Sequence, residues 1–192
     1  MAFRMKTVLA LLVGFLFLIA LWVWSGYNSL VTMQETVKNS WAQVETTYQR
    51  RVDLIPNLVN TVKGAANFEQ STLQAVTEAR TKWMAAPDRA SKLEAAQGAE
   101  SAIARLLVTM EAYPQLKATQ AFTDLMAQLE GTENRINVAR RDYNDAVMKY
   151  NVGVRRFPRN VLAGFFGFDQ EKPFEAAPGS ENAPTVDFGT TK

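Results

Sequence analysis

Between Lys6 and Glu35 the chain carries no charged residue. Within that interval Thr7–Trp24 reads Thr-Val-Leu-Ala-Leu-Leu-Val-Gly-Phe-Leu-Phe-Leu-Ile-Ala-Leu-Trp-Val-Trp. As a helix rising ~1.5 Å per residue the run covers roughly 27 Å, close to the thickness of a bilayer's hydrocarbon core. A cleaved signal sequence is the rival reading, but its apolar region is shorter and ends in small residues. This run ends in Trp22 and Trp24, which suit the membrane interface, although Val23 and Ser25 leave a weak cleavage site open. The sequence therefore predicts a membrane anchor over residues 1–25. Arg4 and Lys6 precede the span and the next cation is Lys38. That asymmetry predicts a cytoplasmic N-terminus and an extracytoplasmic body.

The residue inventory narrows the chemistry. The 192 residues are 47% hydrophobic, enough for a packed core. A net charge of +2 gives no concentrated basic face, so no nucleic-acid partner is expected. The chain has no Cys and no His. It therefore lacks a thiolate, the usual general base and the commonest metal ligand. The Glu-x-x-His pairs of di-iron bundles cannot be built. No catalytic, cofactor-binding or metal-ligating residues are assigned. Carboxylate-only chemistry or a hard-cation site remains as a minor alternative, opposed electrostatically by Arg50 and Arg51.

Beyond the span the pattern is helical. Tyr27, Leu30, Gln34, Val37, Trp41, Val44, Tyr48, Arg51, Ile55, Leu58 and Val62 recur at spacings of three and four, a heptad-like seam on one rod of about forty residues. Ser25-Gly26 is the one turn signal between the span and that rod, and a bend is expected at the glycine. Asn67 with Gln70 offers a capping box for a second helix bearing Leu73, Val76 and Trp83. Pro87-Asp88 breaks it, and Ser91 with Glu94 offers another capping box. A third helix carries Ala96, Ala99, Ile103, Leu106 and Met110, stopping near Tyr113-Pro114. A fourth, long helix carries Phe122, Leu125, Leu129, Thr132, Ile136, Ala139, Tyr143, Ala146 and Tyr150, ending at Phe157-Pro158. No run alternates with period two. The expected fold is all-α: an antiparallel, coiled-coil-like bundle of two long and two short helices over residues 26–157, with a two-helix stalk near the membrane.

Several polar residues need places in that layout. With the long helices antiparallel, residue numbers at equal height sum to roughly 181. Arg51 then faces Glu130, with Glu133 one turn away, and Arg50 and Asp53 flank the same level. This polar cluster is expected to set register, because a seam charge without a partner costs several kcal/mol. Trp41 comes level with Arg140, in range of a cation–π contact. Pro56 is expected to kink the rod, Asp53 and Asn57 satisfying the freed backbone groups; a break with Pro56 opening a new helix is the alternative. Asn137, Asn144 and Asn151 lie in phase beside the fourth seam. They read either as an association face or as a solvated flank.

The returning chain brings Arg155, Arg156, Phe157 and Arg159 back towards the bilayer, with Phe165, Phe166 and Phe168 behind them. Residues 158–168 are expected to form an amphipathic segment touching membrane lipid. The alternative packs those rings on the stalk or on another subunit. Residues 169–192 hold Pro173, Pro178, Gly179, Pro184 and Gly189 with few apolar side chains, and read as a disordered tail.

Several strings resemble the LemA family: Tyr27-Asn28-Ser29-Leu30-Val31, Trp41-Ala42-Gln43-Val44, Gln49 through Val59 (QRRVDLIPNLV), Lys63-Gly64, Glu111 through Lys117 (EAYPQLK), Glu133 through Asn144 (ENRINVARRDYN), Tyr150-Asn151 and Phe157-Pro158. The likeness covers about residues 26–175. Where that family often has an aromatic and a His-Glu pair after Lys-Gly, this chain has Ala65 and Phe68-Glu69. The resemblance implies a bacterial protein with one transmembrane segment and a helical bundle, and supplies no reaction. The leading expectation is a non-enzymatic scaffold that self-associates or holds membrane protein partners. An accessory or sensor subunit of a membrane enzyme is the alternative.

Overall fold

A computed structural model describes residues 2–63 and 68–174. The expected Asn67 cap and the tail beyond residue 174 lie outside those residues. Every element among the described residues is helical. α1 runs Ala2–Asp53, α2 Ile55–Lys63, α3 Gln70–Ala85 and α4 Arg89–Thr109. A 3₁₀ turn (Met110–Ala112) and the short α5 (Pro114–Lys117) lead into α6 (Gln120–Arg155), and α7 spans Arg159–Phe166.

α1 has no proline, so nothing interrupts its backbone ladder over 52 residues. Its first half is apolar and solvent-facing all round from Val8 to Trp22, and is long and apolar enough to cross a membrane. Its second half is amphipathic and buries Leu30, Val37, Trp41, Val44, Tyr48 and Val52. The helix passes unbroken through Gly26, so no interruption stands at Ser25-Gly26. Gly26 has a different use: a Cβ there would stand 2.6 Å from Leu162 Cδ1. Its missing side chain lets α7 sit directly on α1 beside the end of the span.

The rod is interrupted for one residue at Leu54. Pro56 has no N–H to give the carbonyl four residues back. Instead Leu54 N donates to Arg51 O at 3.1 Å, and the ladder resumes when Leu58 N donates to Leu54 O at 3.0 Å. The interruption thus has features of both readings of Pro56, which lies in the first turn of α2 while the buried phase continues through Ile55, Leu58 and Val62. Asp53 does not satisfy a freed backbone group; its carboxylate accepts from Gln49 Nε2 at 2.9 Å.

α6 buries the whole expected seam from Phe122 to Tyr150, and adds Val147, Gly153 and Val154. It lies antiparallel to α1. Trp41 meets Tyr143 edge to face with ring centroids 5.5 Å apart, and a Cβ on Gly153 would stand 3.7 Å from Leu30 Cδ2. α3 and α4 form a hairpin that covers one side of this pair, with Trp83 packed on Tyr48 at 5.1 Å. Burying each fully enclosed Leu, Ile or Val of the seam contributes about 1.5–3 kcal/mol. The α4 cap differs from expectation: Asp88 is the N-cap and its side chain accepts from Ser91 N at 2.8 Å. Ser91 is therefore inside the helix, and the Asp after Pro87 is the starting signal. α6 is capped by Thr119, whose side chain accepts from Phe122 N.

After α6 the chain passes Phe157-Pro158 into α7, which packs on both α1 and α6. Gly167 has φ 72°, the left-handed conformation that glycine adopts without strain. It turns the chain around. Residues 169–174 then run back along α6, away from the membrane end. This overturns the reading of 169–174 as the start of a disordered tail. Backbone hydrogen bonds and one buried ring hold the segment, although its composition is that of a loop.

Candidate functional site: a groove that holds an extended segment

The groove lies between α1, α4 and α6, and it is occupied by the chain's own residues 171–174. Two asparagines on α6 hold its backbone. Asn151 Nδ2 donates to Glu171 O at 2.8 Å while its Oδ1 accepts from Glu171 N at 2.9 Å. Asn144 repeats the pattern with Phe174, at 3.1 Å to the carbonyl and 2.8 Å from the N–H. Between them Tyr143 Oη donates to Lys172 O at 2.8 Å. The spacing is physical. Seven residues of helix rise ~10.5 Å, and three residues of extended chain cover about 10 Å. Asparagines a heptad apart therefore meet residues three apart on a strand.

The segment's side chains are read at both ends. Phe174 is buried in an aromatic box: stacked on Trp41 at 6.1 Å and Tyr48 at 6.3 Å, and edge to face with Tyr143 at 5.7 Å. The Arg140 guanidinium lies 4.9 Å from the Phe174 ring centre and 5.5 Å from that of Tyr48. Such cation–π contacts are worth ~1 kcal/mol or more when partly desolvated. Arg140 is fixed by Glu100 at 2.6 Å. Tyr48 Oη also donates to Glu100. At the other end Arg89 pairs with Glu171 at 2.8 Å, its guanidinium 5.4 Å from the Trp41 ring centre. Burial, then the neighbouring Glu100 charge, pushes the Tyr48 phenol far above its ordinary range. Burial likewise raises Tyr143.

The other residues singled out from the sequence fall into separate places. Arg51 is buried and pairs with Glu133. Glu130 is exposed, so the register lies one turn from the expected pairing, and Arg50 is exposed too. The cation over Trp41 is Arg89 rather than Arg140, because α4 crosses there. Asn137 donates to Glu133 Oε1 on its own helix at 3.3 Å. Asn144 and Asn151 are not a free association face, since both amides are engaged by the chain's own segment. Near the membrane end, Phe165 and Phe157 are exposed, as are Arg155 and Arg156, while Arg159 is half-buried. Phe166 and Phe168 instead pack on Tyr27, with centroids 4.9 and 5.7 Å away. The expected membrane patch is thereby divided: Phe168 is buried and Phe165 faces outward. Sequence reasoning missed Phe174, Glu171 and Arg89. The in-phase asparagines were half of the signal; a lone aromatic just after Pro173 was the other half.

The sequence profile of the LemA family matches residues 40–188. The chain belongs to the LemA family. The match takes in α1 from residue 40 onward together with the rest of the bundle and the groove. Among relatives, Magnetosome protein MamQ 2 and MamQ 1 of Paramagnetospirillum magneticum are each 29% identical over 181 residues, covering 81% of this LemA-family chain and 66% of the relative. Protein LemA of Metamycoplasma hominis is 26% identical over 137 residues, covering 71% of this chain and 63% of the relative. The matched region thus spans just under two thirds of the length of these relatives.

Proposed function

We propose that this LemA-family chain is a single-pass, membrane-anchored scaffold without enzymatic activity. Its bundle stands at the extracytoplasmic face and associates with copies of itself. The observation that carries the reading is the unbroken helix Ala2–Asp53, which is lipid-suited over its first half and bundle core over its second. One element serving as both anchor and core makes a fixed post rather than a tethered domain. Arg4 and Lys6 ahead of the span keep the N-terminus in the cytoplasm.

Two surfaces support the reading. The first is at the membrane end, where α7 presents Phe165, 82% exposed, beside Gly26 and the end of the span. With Phe157, Arg155 and Arg156 it gives the body a second lipid contact, rings entering the acyl boundary and guanidinium groups meeting anionic head groups. The second is on the α1–α6 pair, roughly 200° around α6 from Arg140. A shallow groove of about 610 Å³ there is lined by Ala42, Thr46, Asn134 and Val138, among others. Val138, one of its lining residues, is 53% exposed.

Because the chain has no Cys, a single Val138→Cys substitution gives an unambiguous crosslinking site. In intact membranes, oxidation should yield a disulfide-linked dimer of the chain. A maleimide-based crosslinker at the same position that captures one foreign membrane protein in equal amount, with no self-link, would replace the scaffold with an accessory subunit.

A further inference from the structure

The groove on α6 is built to take a strand, not merely to cover a side chain. Both asparagine amides engage backbone N–H and C=O, a pattern that accepts any extended segment. The ends add selection: an aromatic in the box of Trp41, Tyr48 and Tyr143, and an acidic residue three places earlier for Arg89. Arg140, paired with Glu100, lies over the aromatic ring, so the free preference for an acidic residue sits at the Arg89 end.

We propose that the groove is a recognition site for an extended acidic-x-x-aromatic segment, and that its partner occupant is the residue 171–174 segment of a second copy of this chain. Three features favour that occupant. The segment already fits, since the same four residues fill the groove within one molecule. It is joined to α7 through Gly167, which has no Cβ and so can take other backbone angles at little steric cost. And a common anchor holds every copy's groove at one height above the membrane, so exchange needs only a sideways swing. Swapping an identical element replaces each contact with its equal, which makes the exchanged dimer a low-cost state. Once Phe168 is released from Tyr27 and its N–H from Ala163 O, the tether from Gly167 to Gln170 can reach ~13 Å when extended. The proposal deepens the self-association reading by naming the site through which copies join.

The test uses the full chain in lipid nanodiscs and a fluorescent synthetic peptide of residues 168–176. In the parent chain the tethered segment competes at an effective concentration of about millimolar, so peptide binding should be weak. Phe174→Ala empties the box and should tighten peptide binding at least tenfold. A peptide with Ala in place of its second Phe should lose that gain, as should Asn144→Ala and Asn151→Ala added to the Phe174→Ala chain. If Phe174→Ala fails to fold, Glu171→Lys, which loosens the segment but keeps its ring, should give a smaller gain in the same direction. A folded Phe174→Ala or Glu171→Lys chain that binds no better than the parent overturns the recognition site. For the exchange, a Phe174→Ala copy is mixed in vesicles with an Asn144→Ala/Asn151→Ala copy, one an acceptor and the other a donor. Their association, read by energy transfer, should exceed that of either variant alone and be reversed by excess peptide. Peptide binding without that excess assigns the groove to another protein's segment and overturns the exchange. Parent-chain association through Val138 that ignores the peptide overturns the exchange while leaving the scaffold reading intact.

Discussion

Asn151 holds Glu171 through both halves of its amide, donating to the carbonyl and accepting from the N–H of the same residue. Asn144 does the same for Phe174. An apolar side chain in either position leaves both backbone groups of its partner residue without these bonds. Asn151→Ala and Asn144→Ala should each weaken the segment's attachment by ~1–2 kcal/mol. Amide hydrogen exchange at Glu171 and Phe174 should accelerate roughly tenfold or more, by the free-energy scale of local opening. Asn137→Ala, which removes only an exposed contact within α6, should leave that exchange unchanged.

Arg51 and Glu133 form an unequal pair. The Arg51 side chain is 9% exposed and that of Glu133 41%. Losing the arginine leaves a carboxylate that water can solvate. Losing the carboxylate strands a buried guanidinium. Glu133→Ala should therefore destabilise the bundle by about 1–3 kcal/mol, and Arg51→Met by less than about 1 kcal/mol. Chemical denaturation of both variants gives the comparison; an equal or reversed order would contradict the asymmetry.

Tyr48 makes the fold sensitive to alkali. Burial first, and the Glu100 charge second, raise its folded-state pKa above the ordinary value. The neutral phenol's contribution is complete below about pH 10, the unfolded value, and is lost as pH rises above it. The parent melting temperature should thus fall steeply beyond pH 10. Tyr48→Phe should start lower at neutral pH, having lost the bond to Glu100, but fall less steeply. Melting curves between pH 8 and pH 11 (roughly the range spanning that titration) provide the measurement.

The α7 surface is accessible to the same single-cysteine strategy. Phe165→Cys carrying an environment-sensitive fluorophore should report an apolar setting in anionic vesicles and be quenched by shallow, head-group-level spin labels. A Met84→Cys label, 54% exposed in the parent on the distal hairpin, should remain aqueous. Equal quenching at both positions would remove the second lipid contact.

How much of this was legible in the sequence follows from where the physics is local. The span, the seams of α1 and α6, and the α4 stripe come from periodic burial of side chains on one helix, so spacing alone finds them. Register is a property of two helices and the loops that join them. That is why spacing alone sets Arg51 opposite Glu130 although it meets Glu133, one turn on. The cap at Asp88 is hidden in the sequence because Ser91 and Glu94 offer a capping-box spacing three residues later. Residues 169–174 were the furthest from reach. Their composition is that of a loop, and what orders them is supplied by Asn144, Asn151, Tyr143 and the aromatic box on other elements. A segment with no periodicity of its own shows in sequence only through the residues that receive it.

The unbroken passage of α1 from lipid to Asp53 gives the bilayer mechanical leverage over the body. From Trp24 to Asp53 the helix is roughly 44 Å long. Spans adjust to bilayer thickness by tilting. On a stiff shaft of that length, a change in inclination of about ten degrees displaces the far end by roughly 8 Å, computed from the same helical rise. Thickness and composition of the surrounding lipid thus become inputs that decide where Trp41, Tyr48 and everything seated on them point.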